Sequence, residues 1–236
     1  MGQAKIKGNR QRAETEKRKA DAPNQPAILI PPSETAEEEN TPAVQKTIII
    51  DISQVPKERQ TDPLFLCCLA DVRAKLNDLE EIRAICIHEA AHLFYMTKAG
   101  MKDPEFSGPR ITYNKQTGLY DRYGASVRCP NRDEALLSTM TVGEWAFRIA
   151  KAHAAGGVAA QVLAGRPKTD SGDSEDRTNF NTAYKMICDR CPTQTTTSDE
   201  MWNEAQRILA IELQEAPRRE LILSITDAIK PDLFKS

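Results

Sequence analysis

The sequence predicts a mainly α-helical domain of the α+β class, with a small β-sheet or hairpin. Residues 71–99 contain neither Pro nor Gly, and their apolar positions recur at three- and four-residue steps, as in an amphipathic helix. Residues 110–128 show the turn-centred pattern of a hairpin. Residues 141–163 open with a capping-box sequence and are followed by Gly165, which is typical of a helix with both ends marked.

Residues 1–42 are predicted to be a disordered charged tail, and residues 43–236 a single domain. The tail has few large apolar side chains to offset the entropy that ordering would remove. Its basic start could contact anionic lipid or nucleic acid. A solvated tail without a partner is the interpretation that its composition favours.

Residues 47–52 are rich in β-branched side chains and predict a short strand at the edge of a small sheet. Helical periodicity then covers residues 63–100, as one short and one long helix, until Pro104, Gly108 and Pro109 end it. No stretch reaches the roughly 18 continuous apolar residues of a membrane span, so we expect no transmembrane segment.

The long predicted helix contains the sequence His-Glu-x-x-His, formed by His88, Glu89 and His92. Positions four apart lie on one face of a helix, so the two imidazoles can bind a single metal ion. Zinc accepts neutral imidazole nitrogens, and a catalytic site adds a third protein ligand and an open position for water. The carboxylate beside that water would take its proton, as in a zinc metallopeptidase.

Segments 110–113 and 120–128 flank residues 114–118, in which Gly118 supplies the turn of the predicted hairpin. A strand beside the metal helix of a zinc peptidase commonly holds the substrate as an additional strand, through backbone pairing. An ordinary hairpin that covers the core is the alternative, and the sequence leaves both open.

The helix predicted over residues 141–163 contains Gly156 and Gly157. Each Gly in a helix interior costs about 1 kcal/mol relative to Ala, which indicates a close contact with another helix, such as the metal helix. His153 has no partner at helical spacing and is interpreted as a packed or surface residue that binds no metal.

Residues 168–176 are polar and acidic, and they precede a helix predicted over residues 179–189. Asp176 then lies in the first helical turn, where the helix dipole favours negative charge. Its functional alternative is the missing third metal ligand. Cys188-x-x-Cys191 has zinc spacing but no second Cys or His pair nearby, so it is a weak metal candidate.

Two more helices are predicted, one from Asp199 to about residue 215 behind the cap Ser198, and one from Pro217 to about residue 229. They carry no evident chemistry, so they would complete the core or bind a neighbouring subunit.

Cysteine placement and net charge indicate the redox compartment and the class of partner that we expect. Cys67 and Cys68 are adjacent and poorly placed for a framework of bridges, so a reduced, cytoplasmic interior is the simpler location. The formal net charge of -2 gives no reason to expect nucleic acid as the main partner.

Four segments, in this order, resemble the peptidase domain of the FtsH-type zinc metalloproteases over about residues 70–215. Residues 87–92 are similar to the metal helix of that family, and residues 123–127 to its substrate-side strand. Residues 155–165 resemble its Gly-Gly-x-x-Ala-Glu-Glu helix. Residues 171–176 are similar to its Thr-Gly-Ala-Ser-Asn-Asp segment, whose final Asp ligates zinc.

The resemblance implies a helical, zincin-like peptidase fold with a small sheet beside the metal helix. It implies Zn²⁺ as the cofactor and Glu89 as the general base. The implied zinc ligands are His88, His92 and Asp176. The implied substrate-binding residues are Gly124, Ala125, Ser126 and Val127.

Three positions depart from the pattern of the family. Glu175 replaces the usual Asn, so Glu175 and Asp176 compete for the assignment of third ligand. Ala91 stands where Gly is usual, and the paired acids after the double Gly are replaced around Gln161. The last change affects the groups that support the metal ligands.

The chain contains no G-x-x-x-x-G-K-[ST] phosphate cradle and no membrane anchor before the domain. We therefore expect an ATP-independent zinc endopeptidase that hydrolyses flexible or unfolded polypeptides. A homo-oligomer and a separate unfoldase are both compatible partners. The alternatives are a catalytically inactive, metalloprotease-like protein that binds or regulates others, and a structural zinc domain.

Overall fold

The computed structural model describes residues 49–167, 170–190 and 196–230, with backbone alone for residues 170–173 and 190. These ranges are mainly helical and include small antiparallel sheets, so the predicted class is confirmed at that level. The helices are α1 (Pro63–Leu76), α2 (Leu79–Lys98), α3 (Glu134–Leu137), α4 (Val142–Ala164), α5 (Asp170–Arg190), α6 (Ser198–Glu212) and α7 (Ala216–Ile229). The strands are β1 (Met101–Lys102), β2 (Glu105–Ser107), β3 (Arg110–Asn114), β4 (Leu119–Tyr123), β5 (Ser126–Arg128) and β6 (Asn131–Arg132).

The helix boundaries follow from local capping. The Asp78 carboxylate accepts hydrogen bonds from the first backbone N–H groups of α2, and Gly100, at φ +83°, follows its end. Thr141 and Glu144 form the predicted capping box of α4, and Gly165 adopts the left-handed conformation at the other end. None of the described helices combines the length and apolarity needed to cross a bilayer.

Two helix predictions need correction. Helix α5 begins at Asp170, not near residue 179, so Asp176 is its seventh residue and lies beyond the first turn. Helix α6 is capped by Thr197, not Ser198, because Thr197 and Glu200 form a capping box, and the helix ends at Glu212.

The predicted strand over residues 47–52 is wrong for its described part. Only Asp51 takes part, in a single parallel bridge with Arg110. The side chain of Asp51 accepts a hydrogen bond from the backbone N–H of Ser53 at 2.8 Å, and this local bond turns the chain away from a strand. Residues 47 and 48, and the predicted tail over residues 1–42, lie outside the described residues.

The predicted hairpin is confirmed as β3 and β4, with Gly118 at φ +73° in its turn. Its second strand is shorter than predicted and ends at Tyr123. Gly124 then lies against α2: a Cβ there would be 2.9 Å from Cδ1 of Ile85. The chain continues as β5, which pairs with β2, while β6 pairs with β1.

Helices α2 and α4 pack along each other through small residues. Ala90 and Ala91 of α2, and Ala152 and Ala155 of α4, are fully buried. Small side chains let the two helix backbones approach closely. Larger buried side chains complete the core around this pair, including Phe65, Ile87, Ile149, Phe180 and Leu209.

Candidate metal centre

Two side chains of α2, His88 and His92, converge with a side chain of α5, Asp176. Nε2 of His88 lies 2.9 Å from Nε2 of His92. Oδ2 of Asp176 lies 3.6 Å from the first of these nitrogens and 3.2 Å from the second. The three atoms therefore form a compact triangle.

The size of this triangle suits a tetrahedral zinc ion. Zinc binds His nitrogen and carboxylate oxygen at about 2.0–2.2 Å, so two donors of a tetrahedral site lie roughly 3.3 Å apart. The three observed separations bracket that value. The donor set of two imidazoles and one carboxylate is also one that catalytic zinc sites use.

The backbone of α4 fixes the ring of His92. Nδ1 of His92 lies 2.8 Å from the carbonyl oxygen of Ala152, which accepts its N–H. The other nitrogen, Nε2, is thereby directed at His88 and Asp176. A hydrogen bond of this kind, behind a ligating imidazole, orients the ring and raises its basicity.

Gly156 of α4 leaves the space in which the donor atoms meet. A Cβ at this position would lie 2.4 Å from Nε2 of His92 and 2.5 Å from Nε2 of His88. No side chain is tolerated so close to two ring nitrogens. The close contact predicted for the double Gly is thus made with the two predicted ligands.

The buried carboxylate of Asp176 depends on positive charge beside it. Oδ2 of Asp176 is buried, and no hydrogen bond of acceptable geometry reaches it among the described residues. Burial raises the pKa of this carboxyl, but His92 and then His88 outweigh burial and the pKa is lowered. A metal ion placed between the three groups would replace the proton of His92 as the charge that stabilises this buried carboxylate.

The two imidazoles differ in their protonation. Burial lowers the pKa of His88 to about 4, and the charge of His92 acts in the same direction. Burial also disfavours a charged His92, but the Asp176 carboxylate outweighs it and raises the pKa to about 9. His88 is therefore neutral at pH 7, whereas a metal that binds His92 must displace a proton.

Glu89 is buried on the strand side of α2, with 7 % of its surface exposed. Burial raises the pKa of its carboxyl to about 7, although His92 and the backbone N–H of Val127 act in the opposite direction. A carboxyl group with a pKa near neutrality is suited to accept and return a proton.

The structure separates the two acids that compete as third ligand. Asp176 belongs to the convergent group with His88 and His92, whereas Glu175 does not and is exposed. His153 is likewise not a member of the group. Burial, together with the charge of His92, lowers the pKa of His153 to about 4, so this side chain is neutral. Cys191 of the predicted Cys-x-x-Cys pair lies outside the described residues.

The predicted substrate residues lie beside the metal helix, but only two of them are in a strand. Ser126 and Val127 belong to β5, whereas Gly124 and Ala125 form the connection before it. One edge of β5 pairs with β2, and no other strand pairs with it in the described ranges. The N–H of Val127 faces Glu89, so the unpaired edge is turned to the metal helix.

Neither a protein-family model, nor a curated protein, nor a solved structure matches this chain. The resemblance to the FtsH-type proteases therefore rests on the four sequence segments, and their roles here remain predictions. The geometry of the site stands independently of that resemblance.

Sequence reasoning did not find the carbonyl of Ala152, which holds the ring of His92. Every residue has a carbonyl group, so no residue type marks this one. It also did not place His153 near the site, because a single His without a partner at helical spacing gives no signal of its surroundings.

Proposed function

We propose that the protein is a zinc-dependent endopeptidase with a zincin-like architecture, similar in its active site to the FtsH-type metalloproteases. The observation that carries this proposal is the convergence of His88, His92 and Asp176 beside the buried carboxyl of Glu89. Zn²⁺ held by the first three would supply a Lewis acid and a water acidified to a pKa of about 7.

The chain's own residues supply the remaining steps of peptide hydrolysis. Glu89 accepts a proton from the attacking water and returns it to the leaving amine, which its pKa near neutrality favours. The unpaired edge of β5 binds the substrate backbone by strand addition, which places few demands on sequence. Such binding suits flexible or unfolded polypeptides, because only an extended chain can pair with an edge strand.

The decisive experiment is a chelator-sensitive protease assay on an unfolded substrate such as casein, with the variant Glu89→Gln. We expect the variant to keep one zinc per chain, because Glu89 is not among the donors, and to lose about 10²–10⁴-fold in kcat. The matched control is Glu80→Gln, an exposed position in the first turn of the same helix, which should leave kcat unchanged.

Two outcomes would contradict the proposal. The first is a zinc-loaded wild type that cleaves no unfolded substrate, which would favour a binding or regulatory protein. The second is turnover by Glu89→Gln at the wild-type rate, which would remove Glu89 from its role.

A further inference from the structure

A cavity lies on the same three helices that build the metal centre. It has a volume of about 150 Å³ and is bounded by the end of α2, the short helix α3, the first half of α4, the second half of α5, and the short strands β1 and β6. Its walls include Gly100, Trp145, Ile149 and Ala183. Among the described residues of its lining, Arg132 alone carries a charged side chain.

The cavity and the metal centre lie at two different positions along the same packed helices, α2, α4 and α5. Ala99 follows His92 by seven residues, and Ala183 follows Asp176 by seven residues. Helix α4 runs in the opposite direction, and Ile149 precedes Gly156 by seven residues. Seven residues of α-helix rise about 10 Å, so the cavity lies about 10 Å from the metal centre. An extended peptide covers that distance with three residues.

The strands β5 and β6 also connect the metal centre with the cavity. Val127 of β5 faces Glu89, and Arg132 of β6, five residues later, lines the cavity. A polypeptide that bound along β5 and continued beside residues 128–132 would run toward the cavity.

The lining suits an apolar side chain. Apart from Arg132, its side chains are those of Ala, Met, Leu, Trp and Ile. A cavity of about 150 Å³ is large enough to hold a benzene ring, so a Phe, Leu or Met side chain fits. Met186 at the rim is 54 % exposed, so the cavity is accessible from solvent.

Arg132 is placed to bind the backbone of the substrate polypeptide. Its guanidinium lies over the ring of Trp145 at 5.8 Å from the centroid, and no carboxylate lies within 4.0 Å of it among the described residues. Guanidinium N–H groups that are not bound to an acid are free to donate to peptide carbonyls at the cavity mouth.

We propose that this cavity is a specificity subsite that receives an apolar side chain of the substrate, about three residues from the bond to be cleaved. The inference rests on the proposed endopeptidase function, because it describes how the same site selects its polypeptide. It predicts that an apolar residue sets the position of cleavage at a distance, even though strand addition alone is indifferent to sequence.

The test uses the zinc-loaded full chain and soluble peptides in which a single Phe is moved along an Ala- and Ser-rich host. Cleavage sites are mapped by mass spectrometry. We expect the cut to move with the Phe, about three residues away on one fixed side, with kcat/KM roughly tenfold above the Phe-free host.

A cavity-filling variant, Ala183→Leu, should abolish the tenfold preference and leave zinc content unchanged. The matched control is Asn181→Leu, on the exposed face of the same helix, which should keep the preference. Because Ala183→Leu could disturb packing, the exposed rim variant Met186→Ala provides a second test and should weaken the preference. The subsite would be overturned if the wild-type cleavage site did not move with the Phe. It would also be overturned if Ala183→Leu kept the tenfold preference in kcat/KM.

Peptide binding separates this inference from the proposed function. In the non-hydrolysing variant Glu89→Gln, a Phe-bearing peptide should change the emission of Trp145, and Trp145→Phe should remove the signal. Binding that Ala183→Leu weakens about tenfold, in a protein whose wild type cleaves nothing, would refute the peptidase and keep the subsite. Cleavage without any such binding effect would refute the subsite and keep the peptidase.

Discussion

At the scale of single residues, the missing side chain of Gly156 decides whether the donor atoms can meet. Gly is a poor helix former, and replacing an ordinary helical Gly by Ala stabilises a protein by about 0.4–1 kcal/mol. Here the added methyl group would lie 2.4–2.6 Å from atoms of both imidazoles, which is well inside contact distance. The steric effect outweighs the gain in helix propensity, because these contacts are well under 3.0 Å.

We expect Gly156→Ala to lose at least tenfold in zinc affinity, because one imidazole must rotate away from the shared point. Without zinc, its free energy of unfolding should fall by about 1–3 kcal/mol, because the added methyl group overpacks a site that contains the buried ring of His92. Competition with a zinc-binding dye measures the affinity, and chemical denaturation in chelator measures the stability.

Gly157→Ala is the matched control for this experiment. The neighbouring position makes the same gain in helix propensity but points about 100° away around α4. Its zinc affinity should remain that of the wild type. Equal zinc affinity in the two variants would contradict the role that the structure gives to Gly156.

The candidate ligands differ in how far the sequence alone could predict them. His88 and His92 were predictable because helix geometry alone brings positions four apart together. Asp176 follows 84 residues after His92, and no local rule connects them. Its acidic segment and the segment resemblance suggested it, but both left Glu175 as a rival, whereas in the structure Asp176 alone of the two lies with the imidazoles.

At the scale of elements, the carboxylate of Glu212 ties four helices together. Both of its oxygens accept hydrogen bonds from Nζ of Lys151 on α4 at 2.7 Å. One oxygen also accepts the hydroxyl of Tyr95 on α2 at 2.9 Å, and the other lies 3.0 Å from Arg218 on α7. The carboxylate is 16 % exposed, so water competes weakly for these bonds.

We expect Glu212→Gln to lower the free energy of unfolding by about 2 kcal/mol at pH 7, in the range of hydrogen bonds to charged groups. Burial raises the pKa of Glu212, but Lys151 and Tyr95 outweigh it, so the pKa in the folded state is lowered. The contribution is therefore complete above the unfolded pKa of about 4.3 and declines as pH falls through the folded pKa. Urea denaturation of both proteins across this pH range measures the difference.

Glu215→Gln is the control for the cluster around Glu212. Glu215 is 57 % exposed and lies 3.6 Å from Arg218, and exposed pairs of this kind contribute little. Its loss should change the free energy of unfolding by less than about 0.5 kcal/mol. A difference between wild type and Glu212→Gln that stays constant down to pH 3 would contradict the charged cluster.

The secondary-structure elements also differ in how well the sequence predicts their ends and partners. Helix ends were predictable at α4 because capping chemistry is local: Thr141 and Glu144 are three residues apart. The pairing of β2 with β5 was not, because each strand has three residues and its partner is chosen by packing on α2. Helix α5 was placed too late because its first residues are acidic and polar, without an apolar periodicity.

At the scale of the whole molecule, the helices α2, α4 and α5 together build the candidate metal centre. Helix α2 supplies both histidines, α5 supplies Asp176, and α4 holds His92 and leaves the space at Gly156. An ion held between these three helices binds the folded chain only, because the helices separate on unfolding. Metal binding must therefore appear as added stability.

We expect zinc at 100 times its dissociation constant to stabilise the protein by about 2.7 kcal/mol. For a domain of this size, that corresponds to a rise of roughly 5–10 °C in Tm. Excess chelator should reverse the shift, which differential scanning fluorimetry with and without zinc would record.

The comparison of Asp176→Ala with Glu175→Ala shows that the shift comes from this centre. Zinc bound by cysteines of the unfolded chain would reduce the shift equally in both variants, so the difference between them isolates the folded site. Asp176→Ala should lose the zinc-dependent rise in Tm, because a pair of imidazoles alone binds zinc weakly. Glu175→Ala should keep it, since the exposed Glu175 is not among the converging donors. The reverse pattern would assign the third ligand to Glu175 and would require α5 to rotate in the metal-bound protein.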